Sequence, residues 1–253
     1  MSVLRSLLEG IGSGAIEVID LTAPLSEKTP ILRLPEPFGN TDTFRLREIS
    51  RYDDRGPAWY WNNITTGEHT GTHFDAPIHW ITGRDGEDVA QVPVTRLIAP
   101  AVVLDFSAEA AADPDFLLQV EHVTAWQEKH GPLPEGGWLL YRTGWDAYAH
   151  DQEEFLNGGR TPGMSAECAA WLAEHTPIAG VGVETVGTDA GAAATFDPAF
   201  PCHAYLLGAG KYGLTQLRNL DRLPATGAVV IAGPLPITGG SGSPARVIAL
   251  VER

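Results

Sequence analysis

Between Glu68 and Trp80 the chain reads EHTGTHFDAPIHW. Three of its eight histidines fall in this short stretch with one aspartate among them: His69, His73, Asp75 and His79. Imidazole nitrogen and carboxylate oxygen are the donors that hold Zn²⁺ or Mn²⁺. A divalent ion lowers the pKa of water and polarises a carbonyl, and a further imidazole beside it can take a proton. These residue types point to metal-assisted hydrolysis. His69, His73 and Asp75 are the expected ligands, and His79 is the expected proton acceptor.

The spacing constrains how such a site could form. All four residues sit at odd positions, with Gly71 and Pro77; Thr70, Thr72, Phe74, Ala76, Ile78 and Trp80 are even. On an extended chain alternate residues share a face, so one face collects donors and the other packs. At about 3.3 Å per residue, His73 and Asp75 lie about 7 Å apart and can share an ion, but His69 and His79 lie roughly 33 Å apart. The chain must therefore bend, near Gly71 where no Cβ obstructs and again at Pro77, which ends strand pairing. A helix would also put His69 and His73 on one face, as in zinc helices. Gly71, Thr70, Thr72 and Pro77 together are poor helix formers, which disfavours it.

The elements that must position this segment are short. AIEVIDL, AVVLDF, GWLLYRT, AGVGVET, GAVVIAG and ARVIALV are apolar or β-branched runs bounded by Gly, Pro or Asp, and they predict strands. PDFLLQVEHVTAWQEKHG has rough helical spacing and ends at Gly131. SAECAAWLAEHTP predicts a helix with Ser165 as N-cap, ending before Pro177. FPCHAYLLGAG predicts a short helix ending at Gly208 or Gly210. Strands and helices alternate in the second half, while the first half is mostly strand and loop, so the fold class is mixed α/β. With 253 residues and no repeat or linker, residues 1–253 read as one domain.

Composition removes other functions. The formal charge is −15, with no Lys/Arg cluster, so neither nucleic acid nor an anionic membrane surface is an expected partner. No apolar run reaches the ~18 residues of a spanning helix, and the start MSVLRSLLEGIGSG makes a poor signal peptide. Cys168 and Cys202 form no disulfide framework and read as small buried apolar residues. The expectation is a cytoplasmic protein. GIGSG follows no strand, GAGKYG lacks the phosphate-loop pattern, and no G-x-S-x-G elbow exists.

HTGTHFDAPIH matches H-x-G-T-H-x-D-x-P-x-H, and on it the chain resembles the metal-dependent cyclase-like hydrolase superfamily, which includes bacterial kynurenine formamidases and isatin hydrolases. IDLTAPLSEKTP, LLYRTGWDAY, VETVGTDAG, CHAYLL and GSPARVIAL resemble further blocks of it, so the resemblance spans nearly the whole chain. It implies a swivelling β/β/α type fold, with a central mixed, barrel-like sheet and peripheral helices. It implies the same roles for His69, His73, Asp75 and His79, and places His203 at the site. Formamidases carry a Glu about a dozen positions beyond that histidine and hold two zinc ions; here stands Thr215, followed by Gln216. A neutral side chain cannot offset a second dication. One metal per subunit is therefore expected, with Thr215 or Gln216 as a polar neighbour. The isatin hydrolase branch, which the chain most resembles, implies Mn²⁺, with Zn²⁺ as the alternative.

Aromatic residues crowd the same region. Trp59, Tyr60 and Trp61 precede the motif, Trp80 follows it and Phe38 lies in a loop. Each ring alone reads as packing; as a group they predict walls for a flat aromatic substrate. The family implies that a loop of one subunit completes its neighbour's site, hence a homo-oligomer, a dimer or larger. The expected reaction is hydrolysis of a cyclic amide, isatin to isatinate. Arylformamidase, lactone hydrolase and a metal-dependent small-molecule binding module are the alternatives.

Overall fold

The computed structural model describes residues 2–253. In chain order its strands are β1 (Ile16–Asp20), β2 (Arg45–Asp53), β3 (Gly56–Thr65), β4 (His73–Asp75), β5 (Ile98–Asp105), β6 (Leu117–Leu118), β7 (Trp138–Arg142), β8 (Gly163–Met164), β9 (Gly180–Val183), β10 (Tyr212–Thr215), β11 (Ala228–Pro234) and β12 (Gly242–Glu252). Its helices are α1 (Val3–Ser13), α2 (Ser107–Ala112), α3 (Val120–His130), α4 (Gln152–Leu156) and α5 (Ala166–His175).

The long strand β12 closes the sheet. One edge pairs antiparallel with β11. The other is shared end to end: Gly242, Ser243 and Pro244 pair with β4, and Ile248 to Glu252 pair with β1. From β11 the order runs through β5, β7, β9 and β10 back to β4. Seven strands thus form a closed mixed barrel, with β5, β7, β9 and β10 parallel and β1 added outside the ring. Closure leaves no exposed edge in the ring.

Alternation divides two apolar layers. Ala101, Val103, Trp138 and Leu140 point into the barrel, where they meet Phe74, Tyr212, Leu214, Val230 and Val247. Their neighbours Val102, Leu104, Leu139 and Tyr141 point outward, with Val181 and Val183, and pack on Val123 of α3 and Cys168 and Leu172 of α5. Parallel strands covered on both faces read as continuous apolar runs. Large rings inside the barrel need small residues opposite them. A Cβ on Gly182 would come 2.6 Å from Leu140 and 2.8 Å from Leu217. One on Gly180 would come 2.3 Å from the Tyr212 carbonyl oxygen.

The six strand segments expected from sequence form β1, β5, β7, β9, β11 and β12. Ser165 caps α5 as expected, its side chain accepting from the Cys168 N–H. α3 starts later than its pattern because Leu117 and Leu118 pair with Gly163 and Met164 as β6 and β8. Cys202 to Leu207 form a π-helical turn ending at Gly208. β4 and β10, at three and four residues, are too short to show a period. α1 and the β2–β3 hairpin carry no core to mark them: α1 has no buried residue, and the hairpin pairs only with itself. Among the described residues no helix is long and apolar enough to cross a membrane.

Gly180→Ala must push a Cβ into backbone, whereas Gly182→Ala meets only the ends of two leucines. Overpacking costs about 1–3 kcal/mol. Urea unfolding is expected to put Gly180→Ala at the upper end of that range and Gly182→Ala nearer the lower.

Candidate metal centre

β4 is held from both sides, by β10 and by β12, and its middle residue Phe74 is buried in the barrel. Alternation then aims His73 and Asp75 to the opposite face, where both are buried. The two expected bends are present. Gly71 has φ +65°, and Pro77 to His79 make a 3₁₀ turn. Together they bring His69 and His79 into stacked contact, ring centroids 3.8 Å apart. His69 also meets His73 edge-on at 5.2 Å.

One carboxylate oxygen gathers the rings. Asp75 Oδ1 lies 2.8 Å from His69 Nδ1 and 3.3 Å from His73 Nε2. Donor atoms of His69, Asp75 and His79 lie within 4.8 Å of one another. That trio contains His79 in place of His73, whose Nδ1 turns 2.7 Å from the Gly71 carbonyl. All four motif residues still converge on one carboxylate, and two imidazoles, a third ring and a buried anion form a donor set that a divalent cation fits.

Two glycines make room for this cluster. Gly213 of β10 and Gly242 of β12 are the register partners of Asp75 on either side. A Cβ on Gly213 would come 2.7 Å from Asp75 Oδ2, and one on Gly242 would come 2.6 Å from His69 Cε1. Sequence reading gave neither a role. The available signal was a glycine inside a strand, which marks close approach.

The electrostatics suit a cation. Burial opposes the charge on Asp75, but the charges and hydrogen bonds of His73 and His69 outweigh it and hold the carboxyl well below the usual range. Burial pushes His79 down to about 3 against the pull of Asp75, so its ring is neutral and can accept a proton. His203 behaves in the opposite way. Burial opposes its charging, yet the hydrogen bond and charge of Asp189, with the charge of Asp75, raise its pKa.

Asp189 is a residue that sequence reading missed. One carboxylate oxygen accepts from the Cys202 N–H at 2.7 Å, and the other from the His203 N–H at 3.2 Å. The latter oxygen also holds His203 Nδ1. It therefore fixes the first turn of the π-helical segment and the ring together. His203 stands 5.4 Å from His79 and 4.8 Å from Trp80, centroid to centroid. The quoted block VETVGTDAG contained the aspartate, but nothing local marked it, because its partners follow only after the intervening loop.

A cavity of about 250 Å³ opens over the cluster, lined by His69, His73, Asp75, His79 and His203 and by Leu32, Leu34 and Val186. Thr215 is buried against His73, its hydroxyl 2.8 and 3.0 Å from the two ring nitrogens. Gln216 turns elsewhere: its amide donates to the Pro30 carbonyl at 3.2 Å. The aromatic walls expected from sequence are absent from this lining within one chain. Trp59, Tyr60 and Trp61 stand exposed on the β2–β3 ribbon, which lacks a covering layer, and Phe38 is exposed on its loop. Trp80 lies behind the site against His203 and Phe200. Leu32, Leu34 and Val186 supply the wall instead.

The Cyclase family model matches residues 19–190. The chain is 46% identical to an isatin hydrolase of Roseibium aggregatum over 260 aligned positions, covering 98% of each chain. It superposes on a solved isatin hydrolase bound to the product analogue thioisatinate with a TM-score of 0.96, at 44% identity and full coverage of both chains. A kynurenine formamidase of Salinibacter ruber is more distant, 29% identical over 74% of this chain and 77% of its own.

The pairing with Asp189 has a measurable signature. In Asp189→Asn the larger of the two charges that raise the His203 pKa is gone, and the Asp75 charge alone stands against burial. NMR titration of the metal-free variant is expected to show the His203 pKa lower than in the parent; an unchanged value would show that Asp189 is not what raises it.

Proposed function

This chain belongs to the Cyclase family, and from that premise we propose that it is a metal-dependent amidohydrolase that opens a cyclic amide on an aromatic substrate, isatin to isatinate. The observation that carries the reading is the convergence of His69, His73, Asp75 and His79 on one buried carboxylate beneath a small cavity. The near full-length similarity to isatin hydrolases supports the substrate class.

His69, His73 and Asp75 would hold one divalent cation, Mn²⁺ favoured and Zn²⁺ the alternative. A cation bound there would supply polarisation of the substrate carbonyl and a more acidic water. Asp75 stays ionised without it and so offers charge as well as a donor atom. His79, neutral and stacked on His69, takes the proton as water attacks the amide carbon and returns it to the departing ring nitrogen. His203, held by Asp189, directs a donor to the substrate. Leu32, Leu34 and Val186 exclude water from the apolar ring. Thr215 stands where formamidases carry Glu, and a neutral hydroxyl against His73 supports one metal over two.

The active form is a homo-oligomer, a dimer in the simplest case. The β2–β3 hairpin exposes Leu46, Trp59, Tyr60, Trp61 and Ile64, and a second copy would bury them. In that assembly the hairpin rings of one subunit, with the exposed Phe38, bound the aromatic substrate of the next. Cys168 and Cys202 are both buried free thiols, which supports a reducing cytoplasm. The second reading, hydrolysis of N-formylkynurenine, rests on the formamidase similarity. Both reactions leave an aromatic amine and a carboxylate, so turnover must separate them.

The protein loaded with Mn²⁺ is expected to bleach the visible colour of isatin and to hydrolyse N-formylkynurenine more slowly. The reverse order would favour the formamidase, and no turnover of isatin, N-formylkynurenine or simple lactones would leave a binding module. Elemental analysis beside the rate assay separates the two histidine roles. His79→Ala is expected to retain the ion and lose about 10²–10⁴ in kcat, the usual worth of a general base. Loss of the ion from that variant would make His79 a ligand instead. Asp75→Ala is expected to lose the ion, and full occupancy would exclude Asp75 as a ligand.

A further inference from the structure

Glu68 and Ser241 have no role in the reading above, yet they meet His69 on the side away from Asp75. Ser241 Oγ lies 2.6 Å from Glu68 Oε2 and 2.8 Å from His69 Nε2. The Ser241 N–H reaches the same Glu68 oxygen at 3.1 Å. A carboxylate can only accept, and a serine hydroxyl has one proton to give. That proton goes to Glu68, so Ser241 Oγ must accept from His69 Nε2–H. The remaining His69 nitrogen, Nδ1, faces Asp75 Oδ1 at 2.8 Å: without an ion a proton lies between them, and a bound cation would take that proton's place.

His73 is fixed the other way round. Its Nδ1 donates to the Gly71 carbonyl at 2.7 Å, which leaves Nε2 toward the same Asp75 oxygen. We propose that Glu68 and Ser241 are positioning residues that set the tautomer of His69, so that the centre takes Nδ1 from His69 and Nε2 from His73. The two residues lie 173 positions apart in the chain. Glu68 precedes His69 directly, and Ser241 immediately precedes β12, with its carbonyl accepting from the Ala76 N–H at 3.0 Å. The barrel closure that seats β4 therefore also seats the hydroxyl that orients the first histidine. This inference rests on the reading of His69 and His73 as metal ligands.

Cadmium provides the test, because ¹¹³Cd couples to the nitrogen it binds. In ¹¹³Cd-loaded protein with ¹⁵N-labelled histidines, coupling is expected at Nδ1 of His69 and Nε2 of His73. Ser241→Ala and Glu68→Gln are expected to weaken Cd²⁺ binding roughly 10–100-fold in equilibrium dialysis, as loss of an outer partner does. In Glu68→Gln the amide can donate to Ser241, whose proton then turns on His69 Nε2. Ser241→Thr keeps the hydroxyl and is expected to keep the affinity, which a merely structural role for the position would not require. Coupling at Nε2 of His69, or unchanged affinity in both weakened variants, overturns the proposal. Cadmium binding with no coupling to His69 or His73 overturns the metal reading itself. The coupling pattern is read in the parent protein, so the test stands even where a variant fails to fold.

Discussion

The site depends on three residues that cannot move. β4 is hydrogen-bonded along both edges, to β10 and to β12, and Phe74 at its centre is buried inside the barrel. With the backbone fixed on two sides and the central side chain packed, His73 and Asp75 have one direction left to point. The rigidity belongs to the barrel rather than to the motif. The β4–β12 pairing closes the ring, so the bonds that close the barrel also place His73 and Asp75.

Around that fixed strand the chain creates an electrostatic demand. Asp75 is buried and ionised, and the rings nearest it serve as its counter-groups. A buried carboxylate is tolerated only when paired and hydrogen-bonded. Gly213 and Gly242 allow the pairing to be close, since a methyl at either place would press on Asp75 or His69. The neighbouring histidines are then tuned apart by what they face. His79 lies among other rings and stays neutral, whereas His203 is backed by Asp189 and is drawn toward the charged form. One pocket thus holds two histidines whose pKa values are pushed in opposite directions, 5.4 Å apart centroid to centroid.

The substrate side is less complete within one chain. Leu32, Leu34 and Val186 give the cavity an apolar wall, while the tryptophans nearest in sequence stand out on the β2–β3 ribbon. A two-stranded ribbon with uncovered aromatic faces is marginal alone in water. The homo-oligomer proposed above would cover its exposed rings.

The sequence by itself determined the make-up of the cluster: residue types, their shared parity, and bends at Gly71 and Pro77 could all be read from adjacent residues, because strand alternation and backbone freedom are local properties. It also determined the six apolar strands and the Ser165 cap, whose signals lie within a few residues. Only the tertiary structure decided what depends on distant partners. Asp189 beneath His203, Ser241 beside His69, and the glycines flanking Asp75 each act across more than ten residues of chain, where no period or spacing records the contact. The same holds for the placement of Thr215 against His73 and the outward turn of Gln216. Adjacent residues on a strand face opposite ways, and which of the two meets the site is set by the register of β10 on β4, not by either side chain.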